Sequence, residues 1–271
     1  MDKIAVAMSV YKNDRLTFLK DSVDSILNQT YDNFDLYISV DGPVHVDISQ
    51  YLASLSHSDN VIVSFHKENK GLAFRINQII EMVLCAGHYT FLARMDADDI
   101  SRADRFQQQV NFFNNNPSIE VIGSDVIEID QDGNQIFYKK MDSDHHTIKR
   151  NIVRKCPFNH PSVMFKTTVF ERGHRYNKSL KNTQDYFLWV SLLSSGTKLA
   201  NINAPLLMFR VDNNFHDRRG LKKIINEVKS RLFAMKELKD IRIINFAYIL
   251  ALITLRLSPS KIKKIAYKTF R

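Results

Sequence analysis

Three aspartates occupy four positions in Arg94-Met95-Asp96-Ala97-Asp98-Asp99, directly after an apolar run, Tyr89 to Met95, that reads as a buried strand. Like charges crowded at the end of a strand repel one another unless a cation offsets them. Hard oxygen ligands select Mg2+ or Mn2+, and Mg2+ is usually held by one or two carboxylates while substrate phosphates complete its shell. The chemistry this spacing points to is a divalent metal shared with a diphosphate. A second role competes with it, because an acidic loop ahead of the Ser101 to Asn115 helix is favoured by the positive end of the helix dipole. Zinc has no matching ligand set: His145, His146 and His160 and the two cysteines, Cys85 and Cys156, form no spaced cluster. Gly71 belongs to neither a Gly-x-x-x-x-Gly-Lys-Ser/Thr nor a Gly-x-Gly-x-x-Gly string, so no phosphate loop of those kinds is present.

The elements that must hold such a site alternate along the first 130 residues. Strands are expected at Ile4 to Val10, Leu36 to Val40, Val61 to Phe65 and Tyr89 to Met95, the second ending at the Asp41-Gly42-Pro43 turn. Leu16, Leu19, Val23, Ile26 and Leu27, then Leu72, Ile76, Ile79, Ile80 and Val83, recur at helical spacing between them. Such alternation argues for an α/β fold with a mostly parallel sheet and ligands beyond the carboxyl ends of its strands. A helix at Arg102 to Asn115, a β-like run at Ile119 to Ile129 and a hairpin signal at Asp132-Gly133-Asn134 follow. Residues 135–217 read as mixed α and β, with a short apolar run at Val163 to Phe165 and a helix at Asp185 to Leu193. At 271 residues, 44% hydrophobic and 25% charged, the chain has the composition of a globular protein, large enough for one domain with appendages.

Further residues carry a resemblance. Asn69-x-Gly71-Leu72-Ala73, Asn77, the stretch from Tyr89 through Asp99, Arg105 and Gln109 together resemble the nucleotide-binding half of family 2 glycosyltransferases. His160-Pro161-Ser162-Val163-Met164-Phe165 and Asp185-Tyr186-Phe187-Leu188-Trp189 resemble the acceptor half, in the same order. The resemblance spans roughly residues 3–215 and implies a GT-A, Rossmann-like fold, residues 1–100 serving the nucleotide-sugar and 101–217 the acceptor. It implies that Ser9, Tyr11 and Asp41 hold a uridine, with Arg75 or Lys67 near the nucleotide. Asp96 would approach the ribose or donor sugar, and Asp98 would bind Mn2+ or Mg2+. Asp185 would be the catalytic base of an inverting transfer of a hexose or N-acetylhexosamine from a UDP-sugar. Asp99, His160, Trp189, Asp212 and His216 are further candidates for contacts with diphosphate, metal or acceptor. One base and one metal suffice for such a transfer, because a metal-bound nucleoside diphosphate leaves without protonation; the two-carboxylate glycoside hydrolases differ in this.

Two features depart from that pattern or extend it. Gln184 stands where the family usually has an acid before the base. From Arg218 onward fifteen Lys or Arg face three acids, whereas residues 1–217 carry 23 against 26. Basicity confined to an apolar, helical region (218–271) reads as a membrane-surface anchor and not as a nucleic-acid face. Ile241 to Leu257 is too short in its apolar core to span a bilayer, which needs roughly 20 residues. Two isolated cysteines and an amino terminus without a signal-peptide pattern lead us to expect a cytoplasmic protein, peripheral at the inner membrane face, acting on a lipid-linked glycan. The competing expectations are a nucleotidyltransferase with a similar acidic metal site, and a non-catalytic, transferase-like binding protein.

Overall fold

The computed structural model describes residues 2–55, 58–180, 182–211 and 221–258. Nine strands form one sheet. In chain order they are β1 (Ile4–Val10), β2 (Phe34–Val40), β3 (Val61–Phe65), β4 (Phe91–Met95), β5 (Ile100–Ser101), β6 (Val121–Ile129), β7 (Gln135–Lys139), β8 (Met164–Lys166) and β9 (Leu199–Arg210). The sheet runs β3-β2-β1-β4-β8-β6-β9-β5, with β7 hairpinned onto β6. β3, β2, β1 and β4 are mutually parallel, Ile4 lying level with both Phe34 and Phe91. β8 then runs antiparallel between β4 and β6.

Helices cover both faces: α1 (Leu16–Leu27), α2 (Val46–Leu55), α3 (Leu72–Ala86), α4 (Arg105–Asn115), α5 (His145–Asn151), α6 (Thr168–Glu171), α7 (Gln184–Ser194), α8 (Leu221–Glu237) and α9 (Ile243–Leu257). Burial of alternate residues on opposite faces explains the apolar run Ile4 to Met8 of β1. Ile4, Val6, Met8 and Val10 pack with Leu19 and Val23 of α1, Leu52 of α2 and Phe106 of α4. Ala5 and Ala7 pack on the opposite face with Ile76 and Ile80 of α3. A strand buried on both faces has no polar side to alternate with.

The boundaries move where tertiary pairing intervenes. The helix expected from Arg102 begins at Arg105, because Ile100 and Ser101 pair with Met208 and Leu207 of β9. The hairpin at Asp132-Gly133-Asn134 forms as expected: Gly133 takes φ +87°, and Asp130 accepts hydrogen bonds from the backbone amides of Asp132 and Asn134. The twelve-residue β9 was hidden within the mixed region, and its Pro205 sits where the pairing with β6 slips register.

The basic helices are built onto the same core. Arg231 of α8 donates to the Ile152 carbonyl at 3.0 Å and lies 4.4 Å from the Tyr186 ring centre, while Phe233 stacks on Phe187. Arg256 of α9 pairs with Glu227 of α8. Among the described residues no helix is long and apolar enough to cross a membrane.

Candidate active site

The sheet order reverses between β1 and β4, and a crevice at such a switch point, beyond the strand carboxyl ends, is where open α/β sheets bind ligands. Ser9, near the end of β1, is half-buried, and Tyr11 just after it is 40% exposed, leaving its ring open for stacking. Asp41, after β2, is 3% exposed. Its carboxylate accepts hydrogen bonds from the amides of Lys70 and Gly71, each at 2.8 Å, and from Arg75 Nε at 2.6 Å. Arg75, buried on α3, also donates to Gln78 Oε1 and to the Glu68 carbonyl. These two residues satisfy each other and fix the loop that starts α3. Gly71 is needed at the start of α3 because φ there is +86°. Lys67 is exposed on the same loop.

The acidic loop is tied from several sides. Ser22 of α1 donates to the Asp96 carbonyl at 2.8 Å. Arg210, at the end of β9, donates its amide to Asp99 Oδ1 and its Nε to the Asp98 carbonyl, at 2.8 and 2.9 Å. Arg94 is wholly buried and forms an ion pair with Asp96. Its own backbone carbonyl is held by Arg105, and Gln109 reaches the Ser162 carbonyl, so these motif residues tie β4, α4 and the His160–Ser162 segment together.

Carboxylates converge here beyond those read from the sequence. Asp98 keeps open surface at the crevice mouth, yet enough protein encloses it that burial, with Asp96 adding repulsion, pushes its pKa up to about 6. Asp99 is 1% exposed and is raised well above the usual range by burial and then by Asp98 and Asp96; its Oδ2 has no hydrogen-bond partner. Asp14, three residues beyond Tyr11, is raised to about 7 by burial, against the Tyr11 amide that donates to it, with Asp98 and Asp96 adding repulsion. Sequence reading missed Asp14, since a lone acid in a loop carries no periodic signal.

Asp185 lies in the first turn of α7, behind Thr183 in the left-handed conformation at φ 69°. Burial raises its pKa, repulsion from Asp96 adds to this, and the amides of Tyr186 and Asp185 with the Arg94 charge oppose it. Asp96, 89 positions away in sequence, is thus near enough to act on Asp185 electrostatically. His160 has its Nε2 2.8 Å from the Tyr176 hydroxyl. Trp189 is wholly buried, packed on Phe158, Phe165 and the edge of His160, so it supports the site from behind. Asp212 and His216 lie outside the described residues.

A divalent cation fits this donor set. The oxygens are hard, their mutual repulsion is only partly offset by Arg94 and Arg210, and Asp99 Oδ2 is orphaned. Among the described residues no group of three or more His, Cys, Asp or Glu side chains is preassembled into a metal cage.

The clustering has a stability consequence. Folded-state pKa values of about 7 for Asp14 and about 6 for Asp98, against 3.8, mean that the folded chain binds these protons more tightly than the unfolded chain. The resulting stability is present at acid pH and is lost as pH rises from about 4 to about 7. Asp14→Asn should therefore gain on the wild type in chelator-treated thermal melts as pH rises. A gap that stays constant with pH would remove Asp14 from the cluster.

The architecture and this acidic crevice define a GT-A glycosyltransferase. The fold resembles that of Staphylococcus aureus TarS residues 1–349 in complex with UDP (TM-score 0.69, 12% identity, 98% of this chain and 75% of that one). It also resembles the mannosyltransferase PcManGT of Pyrobaculum calidifontis in complex with GDP-Man and Mn2+ (TM-score 0.63, 12% identity, 98% and 79%). Residues 5–173 match the family model described as glycosyl transferase family 2, and the chain belongs to that family. Among its relatives, the O-antigen biosynthesis glycosyltransferase WbnJ of Escherichia coli is 30% identical over 223 residues, 82% of this chain and 84% of WbnJ. A second E. coli relative, UDP-Gal:alpha-D-GlcNAc-diphosphoundecaprenol beta-1,3-galactosyltransferase, is 28% identical over 231 residues, 84% and 82%. The protein is a glycosyltransferase of polysaccharide biosynthesis.

Proposed function

We propose that the protein is an inverting, metal-dependent transferase that moves a hexose or N-acetylhexosamine from a UDP-sugar to a lipid-linked glycan, forming a β-linkage from an α-linked donor. The observation that carries this reading is Asp185: a carboxylate whose pKa is raised by burial and then by the charge of Asp96, to which no side chain among the described residues donates a hydrogen bond. Asp185 takes the proton of the attacking hydroxyl. Asp96, held by Arg94, is placed to meet the ribose or donor sugar, and Ser9, Tyr11 and the Asp41–Arg75 loop line the nucleotide side. Asp98 would hold Mn2+ or Mg2+, which when bound supplies positive charge against the departing diphosphate. UDP in the TarS complex and the lipid-linked diphosphate in the galactosyltransferase's name support the choice of donor and acceptor classes. The test is a panel of UDP-, GDP- and dTDP-sugars with Mn2+ or Mg2+. Metal-dependent UDP release from one donor, lost in Asp98→Ala, is expected. Pyrophosphate release would indicate nucleotidyl transfer instead, and silence together with no UDP binding by calorimetry would overturn the reading.

The same proposal places α8 and α9 at an anionic membrane. α9 hides Asn245 while Ile243 (87% exposed), Ile244, Phe246 and Leu250 face solvent, and the exposed Lys236, Lys239 and Arg242 precede them in the chain. An apolar stripe edged by basic residues suits the headgroup boundary, where each well-placed basic residue is worth about 1 kcal/mol. The full chain carrying Ile243→Glu and Leu250→Glu should lose sedimentation with phosphatidylglycerol vesicles; undiminished binding would move the membrane contact elsewhere.

A further inference from the structure

Tyr176 lies in the loop between α6 and α7, buried in the core, and has no part in the chemistry above. Its backbone is clamped by Asn77 of α3, which donates from Nδ2 to the Tyr176 carbonyl at 2.8 Å and accepts from the Tyr176 amide at 3.0 Å. The side chain is 2% exposed. Its hydroxyl has one hydrogen-bond partner among the described residues, His160 Nε2 at 2.8 Å. A second contact keeps the imidazole in place, since Trp189 meets it edge-on with ring centres 6.1 Å apart.

Burial decides which way that hydrogen bond runs. It raises the Tyr176 phenol far above its ordinary range, so the phenol keeps its proton. Burial, helped by the Arg94 charge, also lowers His160 well below its ordinary value, so the imidazole is neutral. A buried O–H with one acceptor in reach donates to it, because an unpaired buried donor is costly. The neutral ring then carries its single proton on Nδ1. Asp185 and Asp96 both act electrostatically on the Tyr176 hydroxyl, so the pair lies within the field of the two carboxylates.

Resting on the transferase reading, we propose that Tyr176 is a positioning residue that locks His160 in its Nδ1–H tautomer, so that His160 offers a neutral hydrogen-bond donor to a sugar hydroxyl bound between Asp96 and Asp185. Neutrality is the useful property. An imidazolium would pair with Asp185 and occupy the base, whereas a neutral N–H orients the sugar and leaves the carboxylate free. The arrangement also gives Asn77 a purpose that its place in the sequence motif does not explain.

The test is imidazole 15N NMR of the full chain without substrate, with His160 assigned by difference from His160→Asn. The expected result is proton on Nδ1 in the wild type and a mixture of tautomers in Tyr176→Phe, which keeps the ring and the Asn77 clamp. Proton on Nε2 in the wild type, or an unchanged tautomer in Tyr176→Phe, overturns the proposal. In turnover assays Asn places its amide near the Nδ1 position and Gln near Nε2, so His160→Asn should retain activity that His160→Gln loses by about tenfold. Equal losses also overturn it. A raised KM for acceptor assigns the hydroxyl to the acceptor, and a raised KM for UDP-sugar assigns it to the donor. The tautomer is read without substrate, so its failure is separable from failure of the nucleotide-sugar reading, which is measured by UDP release and UDP binding.

Discussion

Asp185→Asn should lower turnover by about 10^3-fold, within the range that a positioned general base supplies, while leaving the affinity for UDP unchanged. The amide preserves size and packing in the first turn of α7 but cannot take a proton. Burial and the Asp96 charge hold the Asp185 pKa above the ordinary carboxylate range, with the α7 amides and Arg94 opposing them. The sign of the pH dependence follows. Only the deprotonated carboxylate works as a base, so kcat/KM should fall as pH drops through that raised pKa, and Asp185→Asn should show no such limb. Steady-state kinetics from about pH 5 to about pH 8, with UDP binding measured in parallel, checks both points. Wild-type turnover in Asp185→Asn would assign the base to another group.

Asp41→Ala should be among the most destabilising single changes in the chain. It removes the acceptor of three hydrogen bonds and leaves the Arg75 guanidinium, 2% exposed, without its counter-charge. Breaking one partner of a buried pair costs about 3–5 kcal/mol, because the remaining charge is stranded. For a chain of this size that corresponds to a fall of about 10 °C in melting temperature. The companion test is the double substitution Asp41→Ala with Arg75→Met, which strands no charge. If the double variant is more stable than Asp41→Ala alone, the loss came from the stranded guanidinium and not from the nucleotide pocket. A melting temperature within a degree or two of wild type in Asp41→Ala would mean that the pair is screened by solvent.

The Asp41–Arg75 pair also shows how far sequence reading reaches. The resemblance placed both residues near a nucleotide, one after a strand and one in a helix. Nothing in a linear spacing of 34 residues says that they bind each other first. The same holds for Gln109 and Ser162, separate letters of the motifs that the fold joins, and for Asn77, a motif residue that clamps Tyr176, which no motif contains. Asp14 had no letter at all. Its raised pKa comes first from burial and then from Asp98 and Asp96, which lie more than eighty positions away in the chain.

Local rules were sufficient where the physics is local. The two-faced burial of Ile4–Val10, the helical spacing of Leu72–Ala86, the left-handed glycine of the Asp132-Gly133-Asn134 hairpin and the crowding of Asp96, Asp98 and Asp99 are all visible as residue type and period. So was the apolar, basic character of the carboxyl-terminal helices. Tertiary structure alone decided that Trp189 is a support in the core, that α9 turns Asn245 inward and Ile243 outward, and that Asp185 feels the charge of Asp96. The reason is one of range: hydrogen bonding and periodicity act within a few residues, whereas burial and charge repulsion depend on distance in space, which the sequence order of this chain does not state.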